Sequence, residues 1–187
     1  MESETDDVLV ERCRNGDREA FAALVVRYQR PVYNAAWWVL RNAEDASDVA
    51  QNVFLKVAER LDDYDPQYRF FSWIYRIAVN ESLDMLRRSG HEEPLDDEVA
   101  FAGPDGDDPE RHASDAELSA RIRSVVMGMA TNDRTVLMLR HFSELSYLEI
   151  GQVLDLDEKT VKSRLFEARQ RLRALLGSLE GPRHGRH

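Results

Sequence analysis

Near its C-terminal end the 187-residue chain carries Lys159, Lys162, Ser163, Phe166, Gln170 and Arg173 at helical spacing, outward or on the flanks of the segment KTVKSRLFEARQRLRALL. On the opposite side, Val161, Leu165, Ala168, Leu172 and Leu175 fall at i, i+4, i+7, i+11 and i+14, an apolar stripe expected to pack inward. Ammonium and guanidinium groups in this arrangement neutralise phosphates or donate to guanine edges, while Ser and Phe contact thymine or the sugar backbone. The chemistry is recognition rather than bond making. No phosphate-binding glycine loop, no metal-ligand spacing among the five histidines and no nucleophile–base pair appears. Neither a metal nor a cofactor is expected, and an enzyme is the least supported reading. The single cysteine, Cys13, lies one helical turn beyond Leu9 and reads as a core residue.

What precedes this segment would aim it. Ser146-Tyr147-Leu148-Glu149 has the spacing of a capping box, in which the Ser146 hydroxyl accepts from the Glu149 amide and Glu149 reaches back. Leu145 and Ile150 flank that cap as a hydrophobic staple. The helix so started ends near Leu154. Asp155-Leu156-Asp157 connects it to the next, with Asp157 as cap and Leu156 and Val161 as a second staple. Two short capped helices joined by about three residues match a helix-turn-helix, whose second helix enters the major groove by its N-terminal part.

A net charge of −10 taken alone opposes a nucleic-acid partner, but it is unevenly placed. Residues 91 to 115, HEEPLDDEVAFAGPDGDDPERHASD, hold ten acidic side chains and one basic. Residues 116 to 187 hold 12 basic and nine acidic. The middle stretch, with three prolines and two glycines, buries too little to fold alone and reads as a tether, with one anchoring contact around Val99 and Phe101. The expected organisation is therefore residues 1–90, a linker at 91–115, a second helical unit at 116–180 and a tail at 181–187. Apolar runs such as Ala35 to Leu40 are far too short to cross a bilayer, and the acidic start MESETDD is unlike a secretory signal. A cytoplasmic location follows as the expectation.

The first ninety residues read as helical almost throughout. Asp17 is positioned to cap a helix bearing Phe21, Leu24, Val25 and Tyr28, and Pro31 suits the first turn of another, running to about Arg41. A third helix, Ala43 to Leu61, carries Ala46, Val49, Ala50, Val53, Val57 and Leu61 on one stripe. The turn-rich stretch Asp62 to Arg69 interrupts it, and a further helix from about Phe71 to Arg88 ends before Gly90. In the second unit, Leu118, Ile122, Val125 and Met129 define one helix and Asp133 to Phe142 another. The fold class is all-α, two small helical units joined by an acidic linker.

Three stretches resemble the sigma-70 family, specifically its extracytoplasmic-function group: DVAQNVFLKVAERL (Asp48 to Leu61), FSWIYRIAVNESLDMLRR (Phe71 to Arg88) and LSYLEIGQVLDLDEKTVKSRLFEARQRLRALL (Leu145 to Leu176). Their order and spacing around an acidic linker make the likeness specific. It implies an exchangeable promoter-reading subunit of RNA polymerase, its sigma region 2 before the linker and its region 4 after. By the resemblance, Asp48, Gln51, Asn52 and Leu55 dock on the coiled coil of the polymerase β′ subunit, and the C-terminal unit faces the β flap. Tyr64, Gln67, Tyr68 and Arg69 would capture an unstacked base of the −10 element, by stacking and edge hydrogen bonds. Trp73, Arg76, Asn80, Arg87 and Arg88 would handle the melted strand, whereas Tyr75 suits the core or a mixed role. Lys159, Thr160, Lys162, Ser163, Arg164, Phe166 and Glu167 match positions on the −35 element. The resemblance further implies an anti-sigma partner, and a linker that threads a basic polymerase channel, as a nucleic-acid mimic or as a plain spacer.

Several positions depart from the family. Glu167 stands where a basic residue is usual, Gly151 where alanine is usual and Asp155 where glycine commonly turns the chain. Met129-Ala130-Thr131 replaces a Leu-Pro. Two other readings compete: a stand-alone helix-turn-helix regulator, which would need a positive overall field or a dimerisation element, and a sigma-like mimic that titrates an anti-sigma factor.

Overall fold

The computed structural model describes residues 4–90 and 113–179, with side chains from residue 120 in the second stretch. All regular elements there are helical: α1 (Asp6–Arg14), α2 (Arg18–Leu40), α3 (Ala43–Arg60), a 3₁₀ turn (Leu61–Asp63), α4 (Phe70–Ser89), α5 (Ala113–Met127), α6 (Thr131–His141), α7 (Tyr147–Leu154) and α8 (Glu158–Leu179). The tether, its Val99 and Phe101 anchor and the tail lie outside the described residues, although Ala113, Ser114 and Asp115, read as tether, already belong to α5.

Helices start where side chains satisfy their free amides. Asp17 accepts from the amides of Glu19 and Ala20, and Asn42 from those of Glu44 and Asp45. Three helices end on a left-handed residue: α2 on Arg41 (φ 59°), α4 on Gly90 (φ 65°) and α7 on Asp155 (φ 55°).

One expectation fails at Pro31. It does not begin a helix but lies inside the continuous α2. A proline there removes one ladder bond and crowds the preceding turn, at a cost of about 3 kcal/mol. Leu24, Tyr28, Val32, Ala35 and Val39, all buried, form one stripe through the proline, so breaking the helix would forfeit the burial of several side chains. That burial outweighs the lost bond. A smaller correction concerns α5, where Val126 and Met127 are buried and Val125 only half-buried.

Helices α1 to α4 pack together around Leu9, Leu24, Val53, Phe70 and Ile74, and α6 to α8 around Leu139, Leu145, Ile150, Val161 and Leu165. The two groups also touch, α4 against α7 and α2 against α6.

Candidate nucleic-acid interface

The helix-turn-helix forms as its caps dictate. Ser146 Oγ accepts from the Glu149 amide at 3.2 Å, and the Ser146 amide donates to Glu149 Oε2 at 2.8 Å, closing the capping box. Asp157 accepts from the Thr160 amide at 2.8 Å and the Thr160 hydroxyl at 2.7 Å, which holds its carboxyl below the usual aspartate range. Between the caps the chain turns so tightly that a Cβ on Gly151 would meet the Leu156 carbonyl oxygen at 2.5 Å. The departure from alanine at this position is therefore a steric requirement here. Asp155 makes the left-handed turn that glycine commonly supplies.

Helix α8 presents Lys159, Lys162, Ser163, Arg164, Phe166 and Glu167 to solvent, with Thr160 half-buried under its cap. Phe166 is 64% exposed, an unusual place for a phenyl ring without a partner surface. Lys162 is held in place by two groups: its ammonium pairs with Glu158 at 2.7 Å and lies 5.7 Å from the Tyr147 ring centre. Arg140 approaches the same ring at 5.3 Å. Tyr147 and Glu158 were not legible as site residues, because their role depends on how α7 is set against α8. Glu167 pairs with Arg171 at 3.2 Å, and Arg171 in turn grips Asp133 with both contacts under 2.8 Å. Its charge is thus partly compensated within the protein. The inward stripe holds for Val161, Leu165 and Ala168, weakens at half-buried Leu172 and fails at Leu175, which is exposed.

The second set of candidates surrounds the loop before α4. Arg14 donates to the carbonyls of Leu61 and Tyr64 at 3.1 and 2.7 Å, and Asp65 accepts from the Gln67 amide at 2.9 Å. This anchors a loop whose Gln67, Tyr68 and Arg69 are exposed. Tyr64 is a correction. It is 2% exposed, its ring packs edge-on against Phe70 and beside Trp73, and its hydroxyl donates to the Tyr68 carbonyl at 2.7 Å. Both its faces and its polar atom are occupied, so it supports the loop from below instead of meeting a base. Trp73 is half-buried in the same cluster. Arg76, Asn80, Arg87 and Arg88 are exposed along α4, and Tyr75 is buried, its phenol raised above its ordinary pKa by burial. Ser72, which sequence reasoning passed over, is buried beneath Glu149.

A third surface lies on α3. Asp48, Gln51, Asn52 and Leu55 are exposed while Ala46, Val49, Val53 and Val57 face the core. Leu55 is 62% exposed within this otherwise polar face.

The family "Sigma-70 region 2" matches residues 24–92 and "Sigma-70, region 4" matches residues 119–172. The chain is 33% identical over 179 residues to the ECF RNA polymerase sigma factor SigW of Bacillus subtilis, covering 91% of this chain and 96% of that protein. It is 34% identical over 179 residues to the RNA polymerase sigma-H factor of Pseudomonas aeruginosa, covering 91% and 93%. Among solved structures, CnrH in complex with the cytosolic domain of CnrY superimposes with a TM-score of 0.68 at 30% identity, covering 94% of this chain and 99% of that one. The fold is also that of the sigma factor RpoE from Bartonella quintana in complex with the anti-sigma factor NepR, with a TM-score of 0.64, 21% identity and coverage of 84% and 96%. The chain belongs to the extracytoplasmic-function sigma factors of the sigma-70 family, which direct RNA polymerase to promoters.

Proposed function

We propose that the three surfaces divide one task. The α3 face docks on the β′ coiled coil of core RNA polymerase through Asp48, Gln51, Asn52 and Leu55. The loop and α4 face hold the melted −10 strand, with Gln67, Tyr68 and Arg69 at the loop and Arg76, Asn80, Arg87 and Arg88 along the helix. The α8 face reads −35 duplex through Lys159, Lys162, Ser163, Arg164 and Phe166, with Thr160 ordering its first turn and Glu167 at its edge. In this reading residues 1–90 and 116–180 act as separate promoter-reading units, the second also meeting the β flap.

One observation carries the reading. The loop and α4 expose Tyr68 together with Arg69, Arg76, Arg87 and Arg88, on a face other than that of α8, and a regulator that binds only duplex DNA has no use for it. The action is non-covalent: stacking and edge hydrogen bonds stabilise unpaired bases, and lysine and arginine neutralise phosphates. No bond is made or broken by the chain, which works in the cytoplasm where the polymerase is. Bound to core, each unit gains from the effective concentration conferred by the other. An anti-sigma protein is the expected regulator, as CnrH is in complex with the cytosolic domain of CnrY and the sigma factor RpoE with the anti-sigma factor NepR.

Transcription from a genomic-fragment library with purified core polymerase tests this. The chain is expected to confer discrete start sites, and Leu55→Glu to abolish them with unchanged melting temperature. Duplex binding by the free chain with no start sites in the presence of core would replace the reading with that of a stand-alone regulator.

A further inference from the structure

Beyond its first turn α8 carries a single carboxylate, Glu167. At 3.6 residues per turn it stands one turn past Ser163, beside Phe166 and one turn before Gln170, and all four are exposed. Lys162, five residues earlier, lies about 140° around the helix axis, on the opposite flank of the outer face. The lysine is too far round to neutralise it.

The cation that Glu167 does meet is Arg171, whose Nη2 lies 3.2 Å from Glu167 Oε2. That guanidinium is already engaged. Its Nη1 donates to both Asp133 oxygens, at 2.6 and 2.7 Å, and Asp133 is 7% exposed. The Arg171 pKa is raised, by Asp133 first and by Glu167 to a lesser degree. Two carboxylates share one cation, so the group carries one surplus negative charge. Arg171 engages Oε2, while Oε1 has no hydrogen-bond partner among the described residues and the side chain is 57% exposed.

A surplus anion on a helix that enters the major groove weakens binding to every sequence except one that meets it with a donor. The base edges differ in what they offer there. Cytosine presents its N4 amine, adenine an N6 amine beside the N7 acceptor, and guanine and thymine acceptors without a donor. We propose that Glu167 is a specificity-determining residue of the −35 contact: its carboxylate accepts from the N4 amine of one cytosine and turns away guanine and thymine at the same position. This rests on the assignment of α8 to −35 duplex made above and deepens it by naming the base.

Core polymerase bearing the full chain, mixed with a promoter pool randomised through the −35 element, tests the proposal by sequencing of the bound fraction. The unsubstituted chain is expected to show one position where cytosine is enriched over guanine by at least about fivefold. Glu167→Ala should bring that ratio near unity at this position and leave the others as they were. Glu167→Gln, whose amide both donates and accepts, should admit adenine there alongside cytosine. Neither exchange strands a buried group, because Arg171 keeps Asp133, so the fold is spared. Unchanged preferences in either variant would overturn the proposal. So would tighter binding to every sequence with the preferences intact, which makes the carboxylate a repellent of phosphates only. Loss of preference at all positions would overturn it too, by making Glu167 structural. A pool in which the unsubstituted chain and core enrich no sequence would refute the promoter-reading assignment and the proposal with it. Enrichment without a cytosine position would refute the reading of Glu167 alone.

Discussion

Gly151→Ala is the substitution whose consequence the structure fixes most narrowly. The added Cβ would lie 2.5 Å from the Leu156 carbonyl oxygen, which belongs to the backbone of the turn and has no rotamer by which to withdraw. Reaching even the 3.4 Å of ordinary contact requires a displacement near 0.9 Å. The Leu156 amide donates to the Gly151 carbonyl at 2.9 Å, so withdrawal also stretches that bond. Overpacking costs about 1–3 kcal/mol and a weakened backbone bond about 1 kcal/mol more. Alanine returns about 1 kcal/mol of helix propensity. The net expectation is a destabilisation of about 1–3 kcal/mol, a fall of roughly 2–12 °C in melting temperature at this chain length. Gly177→Ala is the matched control. Gly177 is also helical, and a Cβ there meets nothing within 4 Å, so the same exchange should be neutral or stabilising by up to about 1 kcal/mol. Urea titration and thermal melting of both variants decide the matter. A Gly151→Ala chain as stable as Gly177→Ala would refute the steric reading of the turn.

Other consequences can be checked independently. Lys162→Ala should weaken −35 duplex binding by polymerase holoenzyme and lower the slope of log K against log salt by about 1, as loss of one phosphate contact requires. An unchanged slope would remove Lys162 from the phosphate set. Tyr64→Phe should cost about 1 kcal/mol of stability through its lost bond to Tyr68 and leave −10 opening intact once the fold is saved by low temperature. A selective loss of opening at full stability would restore Tyr64 as a base contact. Burial raises the Glu149 carboxyl, but hydrogen bonds from Ser146 and Ser72 and the Arg69 charge prevail, leaving it below its reference value of 4.5. The stability these bonds contribute is thus complete above that value and lost as pH falls through the lower folded pKa. Melting temperature should fall over that acid range in the unsubstituted chain more steeply than in Glu149→Gln, and equal profiles would contradict this.

The parts of the fold legible in sequence are those decided within a few residues. Caps at Asp17, Ser146 and Asp157, the stop at Gly90 and the left-handed Asp155 all follow from side chains reaching their own backbone, and each forms as expected. Apolar spacing located the core faces of α3 and the first half of α8 for the same reason. Where tertiary packing overrode local preference, sequence misled. Pro31 is carried inside α2 by a buried stripe on both sides of it, and Leu175 is exposed although it continues the apolar spacing. Tyr64 and Tyr68 are alike as residue types, yet one supports the loop and the other is exposed on it, a distinction set by Arg14, Phe70 and Trp73 from other elements. Arg134 gave no signal, because two of the backbone carbonyls it bonds, those of Trp38 and Val39, lie 96 and 95 residues away. Legibility of the site followed the same division: basic and polar positions on α8 could be named, whereas Tyr147 and Glu158, which hold Lys162, could not.

The central claim is that this chain opens promoters only as part of RNA polymerase, and 2-aminopurine fluorescence reports that opening directly. A promoter fragment selected by library transcription carries the probe in the −10 region. Addition of chain and core together should raise the signal as the base unstacks, and either component alone should leave it flat. Fluorescence that rises with the chain alone, or that stays flat with holoenzyme while the fragment is bound, would contradict the account.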